Sequence, residues 1–155
     1  MAVSPLVMHK ATPYCWAIMP AFLNEIKEFS SRHTAGGTDQ CMERFEIAFG
    51  AGLNEMLGIA LVDEDAEHGH LAGHVICGVE TYLGRTVCMV YQFNKKSGSG
   101  DWDELNKGIQ ALIDSWCHNL GLDEIMAMAE TESRGRLFSL FGYEKGPVLM
   151  RRRFT

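Results

Sequence analysis

The stretch Val87–Trp116, VCMVYQFNKKSGSGDWDELNKGIQALIDSW, decides how the rest of the chain is read. Its first part, Val87 to Phe93, is an apolar and aromatic run too short for a helix, and it reads as a strand buried on both faces. A polar loop with two glycines follows, Asn94 to Gly100. Then Leu105, Ile109, Leu112, Ile113 and Trp116 recur at the helical period and give an amphipathic helix. Asp101 followed by Glu104 is a capping-box pattern, which starts that helix just after Asp101. A Gly-Ser-Gly segment therefore precedes a helix N-terminus, where free backbone N–H groups and the helix dipole favour an anion.

Within the loop, Lys95, Gly98 and Gly100 give K-x-x-G-x-G. This resembles the Q/R-x-x-G-x-G/A loop of the GNAT acyltransferase superfamily, with lysine in the first place. The resemblance implies a loop that binds the pyrophosphate of acetyl-CoA through Lys95, Lys96, Ser97, Gly98, Ser99 and Gly100. A Cβ at either glycine would block the approach of phosphate to backbone. It also implies that backbone N–H groups around Val90 polarise the thioester carbonyl. Gly142-Tyr143 looks like the family's Gly-Phe/Tyr pair after its last helix.

Working outward, the elements keep the same order as the family. Pro5 to Lys10 reads as a first strand. Thr12-Pro13 reads as an N-cap with proline at the first helical position, and Trp16, Met19, Leu23, Ile26 and Phe29 mark the apolar face of the helix that follows, with Pro20 kinking it. His33 to Thr38 is a loop, and Met42, Phe45, Phe49 and Leu53 predict a second helix over 39–54. Gly58 to Val62 and Leu71 to Tyr82 read as strands, with an acidic turn between them and a turn at Gly84-Arg85. After the long helix Gly121 is a C′ stop. Glu124 to Ala129 is a strand, Leu137 to Phe141 a short helix closed by Gly142, and Tyr143 to Phe154 a last strand. The order β-α-α-β-β-β-α-β-α-β predicts an α+β fold, a mixed and mostly antiparallel sheet flanked by helices, in a single domain over 1–155.

Composition bounds the function classes. With 22% charged and 46% hydrophobic residues over 155 positions the chain is globular, with one substantial core. A net charge of -6 argues against general nucleic-acid binding, and Arg151-Arg152-Arg153 is the one basic cluster. No apolar run approaches the ~20 residues needed to cross a membrane. The first residues lack the pattern of a secretory signal, so the expected setting is cytoplasmic. Cys15, Cys41, Cys77, Cys88 and Cys117 are read as reduced thiols; the turn near Leu83 to Arg85 does not set Cys77 opposite Cys88. His68, His70 and His74 share one strand parity, yet no partner has ligand spacing, and no metal is expected.

Acetyl transfer needs a deprotonated amine, a polarised carbonyl and a protonated leaving thiolate. The candidate bases are two strand-end carboxylates, Glu130 and Glu80; Tyr82, Tyr91 and Tyr143 are candidate proton donors. Where the family often has a donor tyrosine the chain has Phe138, and its frequent asparagine is Thr131. Asp103 and Glu104, close behind the loop, suit a helix start. The expected activity is N-acetyl transfer from acetyl-CoA, as co-substrate, to an amine of a small molecule or protein. The acidic surface leans toward cationic acceptors. The alternative is a GNAT-fold protein that binds CoA or serves as a structural part of an assembly. A homodimer or larger assembly is left open.

Overall fold

The protein was analysed as a computed structural model, which describes residues 3–32, 38–64, 71–96, 102–127, 132–146 and 152. In chain order these form β1 (Val3–Val7), α1 (Pro13–Arg32), α2 (Thr38–Ala51), β2 (Met56–Asp63), β3 (Leu71–Tyr82), β4 (Arg85–Lys95), α3 (Trp102–Asn119), β5 (Ile125–Ala127) and α4 (Glu132–Ser139). The strands make one sheet in the order β1-β2-β3-β4-β5. Pairings among the first four are antiparallel, and β4 pairs with β5 in parallel. A parallel neighbour needs a crossover, and α3 supplies it. The fold is thus α+β, with a mixed and mostly antiparallel sheet. The expected last strand is not present over Tyr143–Gly146; most of its remaining length lies outside the described residues.

Each face of the sheet carries its own core. Alternate residues of the central strands go to opposite sides. Ile59, Leu61, Val75, Cys77, Cys88 and Val90 pack with Ile109, Ile113 and Trp116 of α3. Ala60, Leu71 and Ile76 pack with Ile18, Phe22 and Ile26 of α1 and Phe45 and Phe49 of α2. Burial on both faces is why these strands read as nearly continuous apolar runs. Each Val, Leu, Ile or Phe among them, removed from water, contributes about 1.5–3 kcal/mol.

Several local readings need correction: β1 covers Val3–Val7 and not Pro5–Lys10, and α4 covers Glu132–Ser139 and not Leu137–Phe141. The buried stripe of α1 is Cys15, Ile18, Met19, Phe22, Ile26 and Phe29, so the face is turned from the expected one, and Trp16 is 51% exposed. Trp16 is held at the rim, where its Nε1 donates to the Lys10 carbonyl at 2.7 Å and its ring meets Phe49 edge-on. α2 stops at Ala51 instead of Asn54 because Gly52 takes a left-handed φ of 69°. The Leu53 N–H then donates to the Ala48 carbonyl at 2.8 Å and the Gly52 N–H to Phe49, closing the helix end as a Schellman motif. The β3–β4 turn sits one residue earlier than expected. Leu83 and Gly84 both have positive φ, as a two-residue turn joining right-twisted strands requires.

One irregularity falls on the strand that the sequence singled out. Cys77 pairs with Val90 and Ile76 with Gln92, so Tyr91 of β4 has no opposite residue on β3. This is a β-bulge. It locally breaks the ladder and re-aims the side chains next to it.

Candidate active site

The site is built on β4 and its two ends. Val90 is buried on the α3 side and pairs with Cys77 on one flank and Ala127 on the other. The loop residues Ser97, Gly98, Ser99 and Gly100 lie outside the described residues, as does Glu130. The residues bracketing the loop are described, and they part company. Lys95 carries its ammonium 5.0 Å from the ring centroid of Trp102, the first residue of α3, and 6.0 Å from that of Phe93. Lys96 goes to the opposite face and forms an ion pair with Glu25 of α1. The backbone N–H of Lys96 also donates to the Ala72 carbonyl at 2.9 Å, which fixes where the loop leaves the sheet. Asp103 and Glu104 are exposed on the first turn of α3, and Glu104 pairs with Lys107 at 3.4 Å, so their charge faces solvent.

Glu80 belongs to a charged group between α2 and the sheet. Arg44 Nη1 lies 2.5 Å from Glu80 Oε1 and donates to the Tyr91 hydroxyl at 2.9 Å, while that hydroxyl donates to the same carboxylate oxygen. Arg44 Nη2 also reaches the Val79 carbonyl at 3.4 Å. Burial alone would lift the Glu80 carboxyl, but the Tyr91 hydroxyl and the Arg44 guanidinium outweigh it and hold it below the usual carboxylate value. Burial, reinforced by Glu80, pushes the Tyr91 hydroxyl up. Gly78 makes room for this arrangement, since a Cβ there would come within 2.6 Å of the Tyr91 ring.

Phe138, of α4, lies in the core on the α3 side of the sheet. It is 6% exposed and packs against Phe93 and Tyr143, at centroid distances of 6.1 and 5.2 Å. The Tyr143 hydroxyl donates to Gln110 Oε1 at 3.2 Å, and burial pushes it up from its ordinary pKa. His74 is fully buried between Phe22 and Phe29, and its Nε2 shares a hydrogen bond of 2.7 Å with Gln92 Oε1. His68, His70 and Thr131 lie outside the described residues, and no group of three metal-ligating side chains converges among the described ones. All five cysteines are free and buried; Cys77 opposes Val90 and Cys88 opposes Val79. Burial pushes the Cys41 thiol up to about 12, and burial with Cys88 nearby does the same for Cys117, so neither is a nucleophile at neutral pH.

Two functional candidates escape the sequence reading. Arg44 stands on a helix face with nothing in its spacing to tie it to β3 and β4. Glu25 interrupts an apolar stripe, and a buried carboxylate among Phe22, Ile26 and Phe29 is a signal that could have been taken up.

No model of a known protein family matches this chain, and no curated protein matches it. Solved structures do match. An aminoglycoside acetyltransferase from an uncultured soil metagenomic sample is 15% identical, with each chain covered in full and a TM-score of 0.66. Glucosamine-6-phosphate N-acetyltransferase from Arabidopsis thaliana is 12% identical, again with full coverage of both, at 0.67. A predicted acetyltransferase from Clostridium acetobutylicum, solved with acetyl-CoA, is 6% identical over 98% of this chain and 96% of its own, at 0.69. The five-stranded mixed sheet with its flanking helices is the GNAT acetyltransferase fold, carried here by a sequence far diverged from all three.

Proposed function

We propose that this protein moves an acetyl group from acetyl-CoA to a primary amine. The observation that carries the reading is the bulge at Tyr91, placed beside Val90 and followed by a glycine loop and a helix start. A bulge leaves a backbone group outside the ladder, and such a group can donate to the developing oxyanion of a thioester. Lys95, Ser97, Gly98, Ser99 and Gly100 would hold the pyrophosphate, while Lys96, paired with Glu25 on the other face and bonded through its N–H to Ala72, stands apart from it. Of the two lysines, Lys95 is the one set against the start of α3. The donor set fits an anion: a lysine ammonium and the N-terminus of an 18-residue helix.

In the reaction, the amine nitrogen forms a bond to the carbonyl carbon, the carbon–sulfur bond breaks, and the thiolate takes up a proton. Phe138 cannot supply that proton, so water or the newly acetylated ammonium does. Glu130 is the proposed base. The anionic Glu80, already engaged by Arg44 and Tyr91, suits attraction of a cationic acceptor better than proton uptake. The five buried free thiols fit a reducing cytoplasmic setting.

The second reading, a protein that binds CoA without transfer, is favoured by one feature: an apolar Phe138 built into the core at the donor position. Titration with acetyl-CoA in calorimetry, followed by a thiol-release assay with a panel of amines, separates the two. Binding with amine-dependent thiol release supports transfer. Binding without release from any amine refutes it.

A further inference from the structure

Glu25 stands in the apolar stripe of α1 and is 6% exposed. One carboxylate oxygen, Oε1, meets the Lys96 ammonium. The other, Oε2, is buried with no hydrogen-bond partner, the one carboxylate oxygen in that condition among the described residues. An anionic oxygen kept out of water without a donor is costly, and a ligand N–H placed there would remove the cost.

Its position ties it to the transfer site. The carbonyl of Ile26, the next residue, accepts from Gln92 Nε2 at 3.4 Å, and Ser30 accepts from the same nitrogen at 3.0 Å. Glu25 therefore lies alongside the part of β4 just past the bulge. Gln92 is two residues from Val90, about 7 Å along a strand. The Lys96 side chain is 42% exposed, so the pair reaches the surface along the lysine.

Resting on the acetyl-transfer reading, we infer that Glu25 Oε2 receives a second ammonium of the acceptor, making short alkyl diamines and polyamines the substrate class. Lys96 already shows that an alkylammonium fits this carboxylate. A monoamine has its single nitrogen at the thioester and leaves Oε2 without a donor. A diamine offers one nitrogen to each place. Its proximal nitrogen is acetylated, and its distal nitrogen stays protonated and bridges to Oε2. The net charge of -6 favours such an acceptor over a neutral one.

The test compares putrescine with n-butylamine, which has the same chain and one nitrogen. Wild type, Glu25→Gln and the charge-keeping Glu25→Asp are assayed for thiol release, and putrescine binding is measured by calorimetry. Wild type should favour putrescine in kcat/KM. Glu25→Gln should raise the putrescine KM roughly ten- to hundredfold, the worth of one charge-assisted hydrogen bond, and leave the butylamine kcat and the acetyl-CoA KM unchanged. Glu25→Asp should restore part of the preference. Equal losses for both amines, or no putrescine preference in wild type, would overturn the inference. Absence of thiol release with every amine would instead sink the transfer reading. Calorimetry decides the Glu25 site even then, because putrescine binding lost in Glu25→Gln supports it and binding that is unchanged or never seen overturns it.

Discussion

Replacing Phe138 with tyrosine adds one hydroxyl to a ring that is 6% exposed and wedged between Phe93 and Tyr143. The Tyr143 hydroxyl is already donating to Gln110 Oε1 at 3.2 Å, so it is not available as a donor to the newcomer. A hydroxyl left in that core without a partner costs about 1–3 kcal/mol. For a chain of this size each kcal/mol moves the melting temperature by about 2–4 °C, which gives a fall of roughly 2–12 °C. Gln110 Nε2 is a buried donor with no partner, and a new hydroxyl reaching it would place the fall at the small end. The rate should move the other way or stay still, because a proton donor aimed at the leaving thiolate can add ~10²–10⁴-fold and its absence now costs nothing further. The assay is a thermal melt beside thiol release at saturating acetyl-CoA. A rate loss of tenfold or more with an unchanged melt would refute the reasoning, since Phe138 would then be acting on substrate and not on the core.

Gly98→Val should abolish acetyl-CoA binding in calorimetry while the melt stays close to wild type; binding equal to wild type would reduce the loop to a plain turn. Glu130→Gln should remove the acidic limb of the pH–rate profile, and Glu80→Gln should mainly raise the acceptor KM; if neither variant alters the profile or KM, neither carboxylate takes part. Glu80 also makes stability depend on pH. Its folded pKa lies below its unfolded value, so its contribution is present above the unfolded pKa, near ~4.3, and fades as pH falls through the folded one. With both partners more than a third exposed the effect is small, about 0–1 kcal/mol, and denaturant melts of Arg44→Met should show that part of the acid dependence gone; an unchanged slope would mean the pair is solvent-screened entirely.

What the sequence carried and what it hid divide along a physical line. β3 was readable to the residue because its run is apolar between two turn signals, and the start of α3 followed from its cap. The face of α1 was misjudged because apolar residues surround that helix on more than one side, so the period alone does not fix which stripe goes inward; Trp16 satisfied the spacing and still lies at the rim. The bulge left no trace, since an extra residue in one strand changes register and not composition. Glu80 was found as a carboxylate, but its dependence on Arg44, 36 residues away, is a contact that only the tertiary structure makes.

The two-residue turn at Leu83-Gly84 also bears on how the chain assembles. Zipping β3 onto β4 requires closing almost no loop, whereas β1 can reach β2 only after both intervening helices are accommodated. Closure entropy grows with the span to be closed, and non-local pairings are slow for that reason. The hairpin that presents Val90, Tyr91 and Gln92 is therefore the early-forming part of the sheet, and β1 the late arrival. Mutations in β1 should chiefly hasten unfolding, while those in the hairpin should slow folding itself. Material that fails to mature in the cell would then hold its central hairpin formed and its first strand undocked, exposing the edge of β2 to other chains.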